Sequence, residues 1–553
     1  MPHASPYPPI DIPNKDLYSF LHDRKDRPFP DNHPAFICAN TKCTITIGQA
    51  RDQSQRFGVG LKSLWEWRKG DVMAIFSTNH IEYAIVCWGV HWAGGVLTTA
   101  NPSYTVDEFT SQLKDSGTRA ICTIPAMYFT VLKAATNAGI PKERIIFLGE
   151  KPAEGWPDRG QSWKDIFDPS TTAPWRKTKI NAEKDAAFFV YSSGTTGNPK
   201  GVMLSHKNIV SNILQVYHAD SKGNLTWEKD KILAVLPFFH VYGLTILIHL
   251  SFYAGNPVIV MERFDIENFC KVIQEEKPTY TYIAPPIVLL LAKHPSVAKY
   301  DLSSMRMLNC GAAPLREEIS EAVYARIKIP VKQAYGMSEL SPATHMQRWE
   351  DWRVTAGSVG KLLPNMLAKY MSEDGTELEA GQTGELWLKG PNVMLGYLNN
   401  PTATAASITP DGYYKTGDVG HVDIQGNFYI TDRIKELIKY NGFQVAPAEL
   451  EGILSAHPKV DDCAVLGMFM PELETEVPRA FVVLGNGMQR GKEMEEELLK
   501  YMEGKVAKHK WIRGGIRFVE AIPKSQSGKI LRNVLKNQIL EDEKAAHLLK
   551  AKL

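Results

Sequence analysis

The chain carries a run rich in glycine and hydroxyl groups from Tyr191 to Gly201, in the order Tyr-Ser-Ser-Gly-Thr-Thr-Gly-Asn-Pro-Lys-Gly. Glycine lets backbone N–H groups approach an anion closely, while the hydroxyls and Lys200 add donors and a positive charge. The run therefore predicts a polyphosphate clamp. It is not a Walker A loop, because two residues separate Gly197 from Lys200. The residues expected at the phosphates are Ser192, Ser193, Gly194, Thr195, Thr196, Gly197 and Lys200.

A strand and a helix must hold this loop. The apolar residues 186–190 predict a strand before it, and Ser205 can cap a helix whose apolar face includes Ile209 and Ile213. A helix N-terminus beside a glycine-rich loop is a favourable place for phosphate. The alternative is a flexible surface loop that is rich in Gly, Ser and Thr.

The eleven-residue run resembles the phosphate-binding signature of the acyl-adenylate-forming enzymes, in particular 4-coumarate–CoA ligase-like and peroxisomal acyl-CoA synthetases. The resemblance implies ATP-dependent activation of a carboxylic acid as acyl-AMP, followed by transfer to CoA. It also implies ATP, Mg²⁺ and CoA as cofactor and co-substrates. The acid would be an aryl or medium-chain acyl carboxylate.

The second motif spans 333–339, Gln-Ala-Tyr-Gly-Met-Ser-Glu. Through the resemblance, Glu339 would bind Mg²⁺, Tyr335 would stack on adenine and Ser338 would contact the α-phosphate. Taken alone, Glu339 would be read as a solvated loop carboxylate. The nucleotide-binding residues implied here are Gln333, Ala334, Tyr335, Gly336, Met337 and Ser338.

Further motifs lie towards the carboxyl end. Tyr414-Lys-Thr-Gly-Asp418 resembles the ribose-binding signature, although alone it also fits a β-turn. Arg433 matches a second ribose contact. Ser527-Gly-Lys529 matches the signature of a mobile lysine that acts in adenylation. Four residues would act at the hinge and in the two half-reactions: Lys435, Lys439, Gln444 and Lys529.

His240 lies between aromatic residues in Pro-Phe-Phe-His-Val-Tyr. A histidine in an apolar run is often a hydrogen-bonded core residue. The resemblance instead implies a gating and positioning role between the acyl carboxylate and the CoA thiol. The residues implied at the CoA side are Arg263, Asn441 and Gly442. Related ligases often carry Lys where this chain has Asn441.

The acyl pocket carried over from the coumarate ligases departs from that family at four positions. Thr245 and Asn309 replace the Asn and Lys that hold the ring's phenol, and Asn309 offers no cation. Ala343 and Thr344 replace larger aliphatic residues. These changes favour a less hydroxylated or longer acid. The implied pocket residues are Val241, Tyr242, Thr245, Ile287, Asn309, Gly311, Ala334, Gly336, Pro342, Ala343 and Thr344.

Composition limits the class of protein. The chain has 553 residues and a formal net charge of +2, which gives no polyanion-binding bias, so we expect no nucleic-acid partner. Seven cysteines without a C-x-x-C pair indicate reduced thiols and no zinc site. The apolar stretches 84–100 and 236–261 are interrupted by His, Gly or Pro, so no transmembrane segment is predicted. The ending Ala551-Lys552-Leu553 resembles the Ser-Lys-Leu address read by the peroxisomal import receptor and predicts a peroxisomal location.

The order of predicted elements indicates an α/β fold with two domains. Residues 1–431 are expected to form a large AMP-binding domain of layered α/β subdomains, with a small β-barrel over 362–429. Residues 432–553 would form a small mobile α+β domain, in which Pro447 opens a helix.

Three functions remain open at this point. The first is an AMP-forming acid–thiol ligase. The second is an adenylating enzyme that passes the acyl group to a carrier protein or, as in luciferase, to oxygen. The third is a binding protein without chemistry, which should have lost Glu339, Asp418 or Lys529, and all three are present.

Overall fold

A computed structural model describes residues 2–149, 160–167, 176–192, 199–315, 317–441, 443–470, 473–485, 487–525 and 528–537. These residues form a layered α/β fold, as the sequence predicts. Strands and helices are numbered here in chain order.

One large sheet has eight strands. Its centre is parallel, and the fully buried strands at 72–76 and 96–100 pair in register, as expected for strands covered on both faces. In spatial order the strands are β21 (Gly396–Tyr397), β10 (Lys200–Ser205), β9 (Ala186–Ser192), β5 (Val96–Ala100), β4 (Val72–Phe76), β6 (Thr118–Thr123), β7 (Ile145–Phe147) and β8 (Gln161–Ser162). The antiparallel pair β9 and β10 brings Ser192 opposite Lys200, so the two ends of the predicted phosphate loop meet.

The second large sheet has nine strands and is parallel over six of them. Its order is β17 (Lys361–Leu362), β16 (Ala343–Met346), β15 (Val331–Gly336), β14 (Met307–Cys310), β13 (Tyr280–Ile283), β11 (Ile232–Ala234), β12 (Val258–Val260), β2 (Pro34–Cys38) and β3 (Thr44–Thr46). The strand β15 carries most of the motif 333–339 towards one edge of this sheet.

Buried helices lie between the two large sheets. Every residue of α3 (Tyr83–Trp92) is buried, and Trp88 contacts Phe36 of β2 in the nine-stranded sheet. The π-helix Gly243–Leu250 is also buried throughout, and its His249 contacts Phe188 of β9 in the eight-stranded sheet. Aromatic packing thus joins both sheets into one core.

The region in which the sequence predicts a small β-barrel is a six-stranded antiparallel sheet. Its strands are β1 (His3–Ala4), β18 (Leu367–Met371), β20 (Gly384–Lys389), β22 (Tyr414–Val422), β23 (Phe428–Arg433) and β19 (Glu377–Leu378). Asp418 and Arg433 are register partners on β22 and β23. The predicted domain boundary at 431/432 falls inside β23, and the division into 1–431 and 432–553 stays a prediction.

Two smaller sheets follow. One is the hairpin β24 (Ile438–Tyr440) and β25 (Phe443–Val445), and the other has three strands, β26 (Val460–Met470), β27 (Thr475–Leu484) and β28 (Ile516–Phe518). They pack with α12 (Pro447–Ser455) and α13 (Lys492–Glu503) around their own apolar cluster. The helix that Pro447 was predicted to open is therefore present.

The remaining helices begin largely where the sequence offers caps. At the start of α6, Ser205 Oγ accepts from the Asn208 backbone N–H, and Asn208 Oδ1 accepts in return from the Ser205 backbone N–H. Thr46 and Thr105 cap α2 and α4 in the same way. None of the helices in the described ranges is long and apolar enough to cross a membrane. The other bounds are α1 (Leu17–His22), α2 (Ile47–Trp65), α4 (Val106–Asp115), α5 (Tyr128–Ala138), α6 (His206–Val216), α7 (Ser251–Ala254), α8 (Ile266–Glu276), α9 (Pro285–Lys293), α10 (Glu317–Ile327) and α11 (Pro401–Ser407).

Candidate active site

A cavity of about 970 Å³ gathers residues from both large sheets, from the antiparallel sheet and from the carboxyl-terminal segment. Many of the residues predicted from the sequence line it. They are Ser192, Lys200, His240, Val241, Tyr242, Gly311, Ala334, Tyr335, Gly336, Met337, Ser338, Glu339, Pro342, Ala343, Arg433, Lys435 and Lys529.

Other predicted site residues lie outside this lining. Those that the structure describes are Arg263, Thr245, Ile287, Asn309, Gln333, Thr344, Asp418, Lys439, Asn441 and Gln444. Those that fall outside the described residues are Ser193, Gly194, Thr195, Thr196, Gly197, Gly442 and the ending Ala551-Lys552-Leu553.

Glu339 is buried where β9, β15 and β21 converge. Its Oε1 accepts hydrogen bonds from Tyr397 (3.0 Å) and Ser192 Oγ (3.4 Å). Lys200 lies above the Tyr397 ring, with Nζ 5.0 Å from the ring centroid. The carboxylate is thus fixed beside the end of the phosphate loop. Sequence reasoning missed Tyr397, because 58 residues separate it from Glu339 and no local spacing signals the contact.

One carboxylate is a suitable ligand set for Mg²⁺, which keeps several waters and binds nucleotide phosphates rather than a protein cage. In the part of the chain that the structure describes, no group of three or more His, Cys, Asp and Glu residues could hold a metal ion. Glu339, held in place by two hydroxyl donors, fits a cation that arrives with the nucleotide.

Asp418, Tyr335 and Arg433 form a second polar group. Asp418 Oδ2 accepts a hydrogen bond of 2.6 Å from the Tyr335 hydroxyl, and Oδ1 lies 3.1 Å from Arg433 Nε. Burial raises the pKa of Asp418, and Arg433 opposes this rise. Oδ1 makes no well-aligned hydrogen bond to another described residue although it is buried. It is therefore available to accept hydrogen bonds from a ligand hydroxyl.

Gly336 is required in this wall by close packing. A Cβ atom added there would lie 2.0 Å from the Pro342 carbonyl oxygen. The backbone of β15 can therefore pack directly against the 342–343 segment.

Lys529 reaches the cavity from the carboxyl-terminal segment. Its loop packs on the start of α9, since a Cβ at Gly528 would lie 2.8 Å from the Pro286 ring. At the other end of α9, Lys293 Nζ donates a 2.8 Å hydrogen bond to the Val460 carbonyl. Both ends of one helix thus hold the carboxyl-terminal segment in the position that brings Lys529 into the cavity.

Burial and the neighbouring Arg433 lower the pKa of Lys529 to about 8, while Glu436, Asp418 and Glu339 partly offset this shift. A lowered pKa means that the ammonium is charged below about pH 8 and loses its charge above it. We therefore expect kcat/KM for ATP in the first half-reaction to fall as pH rises through this range. The measurement is acid-dependent ATP–pyrophosphate exchange from pH 6.5 to 9.5. A profile that is flat or rises across that range would contradict the assignment.

His240 lies in the cavity wall. Burial and the nearby Lys529 lower the pKa of His240 to about 4, so the ring is neutral at neutral pH. Its Nδ1 accepts a 3.3 Å hydrogen bond from the Tyr242 backbone N–H, which assigns the ring proton to Nε2. A neutral donor of this kind can position a carboxylate oxygen.

The apolar part of the cavity lies next to His240. Val241, Tyr242 and Ala343 line it, as the sequence predicted, and so do Phe239, Ile246 and Met346, which the sequence reasoning missed. Phe239 lies inside the quoted run around His240 but was not assigned to the pocket, whereas Ile246 and Met346 lie outside the quoted motifs. The π-helix that carries Ile246 follows a spacing of five residues rather than four.

Four positions predicted to line the acyl pocket are not in the cavity lining. Thr344 Oγ1 donates to the Tyr335 carbonyl (3.3 Å), and Ile287 belongs to the apolar cluster under α9. Thr245 and Asn309 are completely buried, and Thr245 Oγ1 and Asn309 Oδ1 have no hydrogen-bond partner among the described residues. These four side chains lie outside the cavity lining in this arrangement, and their assignment to the acyl pocket stays a prediction.

The residues predicted for the second half-reaction lie away from the cavity. Lys439 and Gln444 are exposed on the β24–β25 hairpin, and Gln444 bonds to Glu373. The backbone N–H of Asn441 donates to Thr475 Oγ1 (3.0 Å). Arg263 is also exposed. In this arrangement Lys529, and not the hairpin, faces the nucleotide site, so the roles of these four residues stay predictions.

Comparisons with known proteins agree with this geometry. The family model described as AMP-binding enzyme matches residues 23–398, and the model described as AMP-binding enzyme C-terminal domain matches residues 449–529. The first match alone covers more than half of the chain. The chain belongs to the AMP-binding enzyme family.

Curated relatives of this AMP-binding enzyme match over its whole length. It is 40% identical over 554 residues to a probable 4-coumarate–CoA ligase 1 of Dictyostelium discoideum, with 97% of each chain covered. It is 35% identical over 546 residues to phenylacetyl-CoA ligase epaB of Aspergillus niger, covering 97% of this chain and 98% of the relative. The crystal structure of ATP-bound MatB from Rhodopseudomonas palustris matches with a TM-score of 0.83 and 27% identity, covering 95% of this chain and 98% of the other.

These matches, together with the cavity, establish the enzyme class. The protein is an AMP-forming acyl-CoA ligase, which activates a carboxylate as acyl-AMP and transfers the acyl group to CoA. Two alternative functions are set aside. They are an adenylating enzyme that passes the acyl group to a carrier protein or to oxygen, and a binding protein without chemistry.

Proposed function

We propose that this ligase activates aromatic and arylalkyl carboxylic acids that carry few polar ring substituents. The observation that carries the proposal is the apolar wall beside His240, built from Val241, Tyr242, Ile246, Ala343 and Met346. An aromatic ring can pack against this apolar wall, whereas a strongly hydroxylated ring would leave hydroxyls without partners there. The 4-coumarate and phenylacetate ligases among the relatives support an aryl acid.

The chain's residues divide the reaction between them. A carboxylate oxygen of the acid attacks the α-phosphorus of ATP, and pyrophosphate leaves. Catalysis of this step depends on positioning and on charge neutralisation. Lys529 supplies a positive charge at the α-phosphate and carboxylate oxygens, and His240 Nε2 holds the carboxylate in line. The CoA sulfur then attacks the acyl carbon, and AMP leaves.

Two further residues complete the nucleotide site in this proposal. Glu339 would hold Mg²⁺, which when bound neutralises the phosphate charge. Asp418 Oδ1 would accept hydrogen bonds from the ribose hydroxyls. Oδ1 is buried and makes no aligned hydrogen bond to another described residue, although Arg433 Nε lies 3.1 Å away, and two hydroxyl donors fix Glu339; these observations support the assignments.

A panel of acids tests the substrate class. We expect kcat/KM, measured as pyrophosphate release with CoA present, to be at least about tenfold higher for cinnamate or phenylacetate than for octanoate. This tenfold ratio of kcat/KM is the size expected when two acids differ in their pocket contacts by about a few methylene groups. Octanoate as the preferred acid would contradict the proposal while leaving the enzyme class intact.

A peroxisomal location is also proposed, on the ending Ala551-Lys552-Leu553 alone. Deletion of these three residues should abolish import of a fluorescent fusion of the full chain into peroxisomes. Unchanged import after the deletion would contradict it.

A further inference from the structure

The loop 236–240 carries His240 into the cavity wall. The His240 backbone N–H donates a 3.2 Å hydrogen bond to the Pro237 carbonyl, and the His240 carbonyl accepts a 2.9 Å bond from the Leu244 N–H. Because Nδ1 accepts from the Tyr242 N–H, the ring also caps the helical turn that follows. The ring is thus fixed relative to its own backbone, so the position of Nε2 in the cavity depends on where the loop lies.

Thr99 holds the peptide that precedes His240. It lies in β5, inside the eight-stranded sheet, and its side chain is almost completely buried at the lining of the cavity. Its Oγ1 donates a 2.6 Å hydrogen bond to the Phe239 carbonyl oxygen. A β-branched side chain on a buried parallel strand has little rotational freedom. The hydroxyl therefore connects a rigid element of one sheet directly to the peptide group between Phe239 and His240.

Asn79 fixes the earlier part of the same loop. It is buried just after β4, and its Nδ2 donates to the carbonyl oxygens of Leu236 (3.0 Å) and Met261 (3.2 Å). Its Oδ1 accepts a 2.8 Å hydrogen bond from the Phe238 N–H. Leu236 and Met261 follow β11 and β12 of the nine-stranded sheet, so this amide joins the two large sheets. The loop is thus anchored at positions 236 and 238, and Thr99 holds the next peptide.

We propose that Thr99 is a positioning residue for activation of the acid, because its hydrogen bond to the Phe239 carbonyl determines where His240 Nε2 meets the carboxylate. Asn79 serves the whole loop, whereas Thr99 acts on the peptide next to His240. Without this bond the 239–240 peptide can tilt and the ring moves with it, so the carboxylate is no longer held in line with the α-phosphorus. The inference rests on the proposed function, in which His240 Nε2 holds the carboxylate.

The first test compares Thr99→Val with Thr99→Ser, since valine keeps the shape of threonine without its hydroxyl and serine keeps the hydroxyl. We expect Thr99→Val to lower kcat/KM for the preferred acid of the panel, measured by ATP–pyrophosphate exchange, by about 10- to 100-fold. A misplacement of about 1 Å can cost about a hundredfold. The KM for ATP should stay within about twofold of the wild type, because His240 contacts the acid and not the nucleotide in this account. Thr99→Ser should retain most of the wild-type kcat/KM.

A double variant tests whether Thr99 acts through the histidine. His240→Ala should lower the same kcat/KM. Adding Thr99→Val to His240→Ala should change it by less than about twofold, because the effects of residues that act as a unit are not additive. A full further loss in the double variant would overturn the inference, since Thr99 would then contact a substrate itself. An unchanged kcat/KM in His240→Ala would instead overturn the proposed role of His240.

Thr98→Val is the matched control, because Thr98 is the neighbouring buried threonine of β5. Its Oγ1 donates to the Phe189 carbonyl (3.1 Å) and accepts from Gln112 Nε2 (2.8 Å), so this variant should lower the Tm at least as much as Thr99→Val. Its kcat/KM for the acid should stay close to the wild-type value. Should Thr99→Val prove insoluble, Thr99→Ala removes the same hydroxyl and carries the same comparison. An unchanged kcat/KM without the Thr99 hydroxyl, no recovery in Thr99→Ser, or an equal loss in Thr98→Val would overturn the inference.

Discussion

Lys529→Ala should lower the rate of acid-dependent ATP–pyrophosphate exchange by about a hundredfold or more, the usual scale for removing one preorganised group that faces developing charge. The ammonium is partly buried in the cavity, with Arg433, Asp418 and Glu339 nearby, and no other described lysine is expected at the α-phosphate. The same variant should still form thioester from supplied acyl-AMP and CoA at close to the wild-type rate. Single-turnover assays of the two half-reactions measure both quantities.

The control is Lys508→Ala, which removes an exposed lysine from the same carboxyl-terminal segment and should leave both rates unchanged. Equal loss of both half-reactions in Lys529→Ala would contradict a role confined to adenylation. Such a result would mean that the substitution disturbs how the whole segment packs on α9.

Asp418→Asn should raise the KM for ATP by about 10- to 100-fold. The substitution removes the charge that Arg433 faces at 3.1 Å and weakens the acceptor of the Tyr335 hydrogen bond. Hydrogen bonds to a charged group contribute about 1.5–3 kcal/mol each, and about 1.4 kcal/mol corresponds to a tenfold change. The KM for the acid should change much less, because the apolar wall beside His240 that faces the acid is built from other residues.

Asp411→Asn provides the matched control, since Asp411 is exposed on the approach to the same strand and its removal should leave the KM for ATP unchanged. A KM for ATP in Asp418→Asn within about twofold of the wild type would contradict a ribose contact, given the strength of a charged hydrogen bond. A parallel increase in the KM for the acid would indicate a general loss of packing around Tyr335.

The strand and the helix that flank the predicted phosphate loop could be predicted from the sequence because their signals are local. The capping residue Ser205 predicts the start of α6, and the continuous apolar run 186–190 predicts the strand before the phosphate loop. The contact of Glu339 with Tyr397 and Ser192 could not be predicted in this way. Those residues are far apart in the chain and meet only because β9, β15 and β21 converge.

The acyl side was predicted less well. A resemblance to a family identifies the sequence positions that line the pocket in that family. It does not show which side chains face the cavity in this protein. Thr245 and Asn309 were expected in the lining and are covered, while Ile246 and Met346 occupy the wall. Ile246 and the buried Thr245 both lie on the π-helix Gly243–Leu250, whose five-residue spacing is not detected by a periodicity of 3.6, and Asn309 Nδ2 donates to the Tyr280 hydroxyl in the core.

The account depends most on formation of an acyl-AMP anhydride at this cavity. The direct measurement is to incubate the full-length enzyme with ATP, Mg²⁺ and cinnamate labelled with ¹⁸O in its carboxylate, without CoA, and to analyse the nucleotide products by mass spectrometry. We expect cinnamoyl-AMP, and AMP that carries one ¹⁸O after CoA is added. ADP as the product, or AMP without the label, would contradict the account.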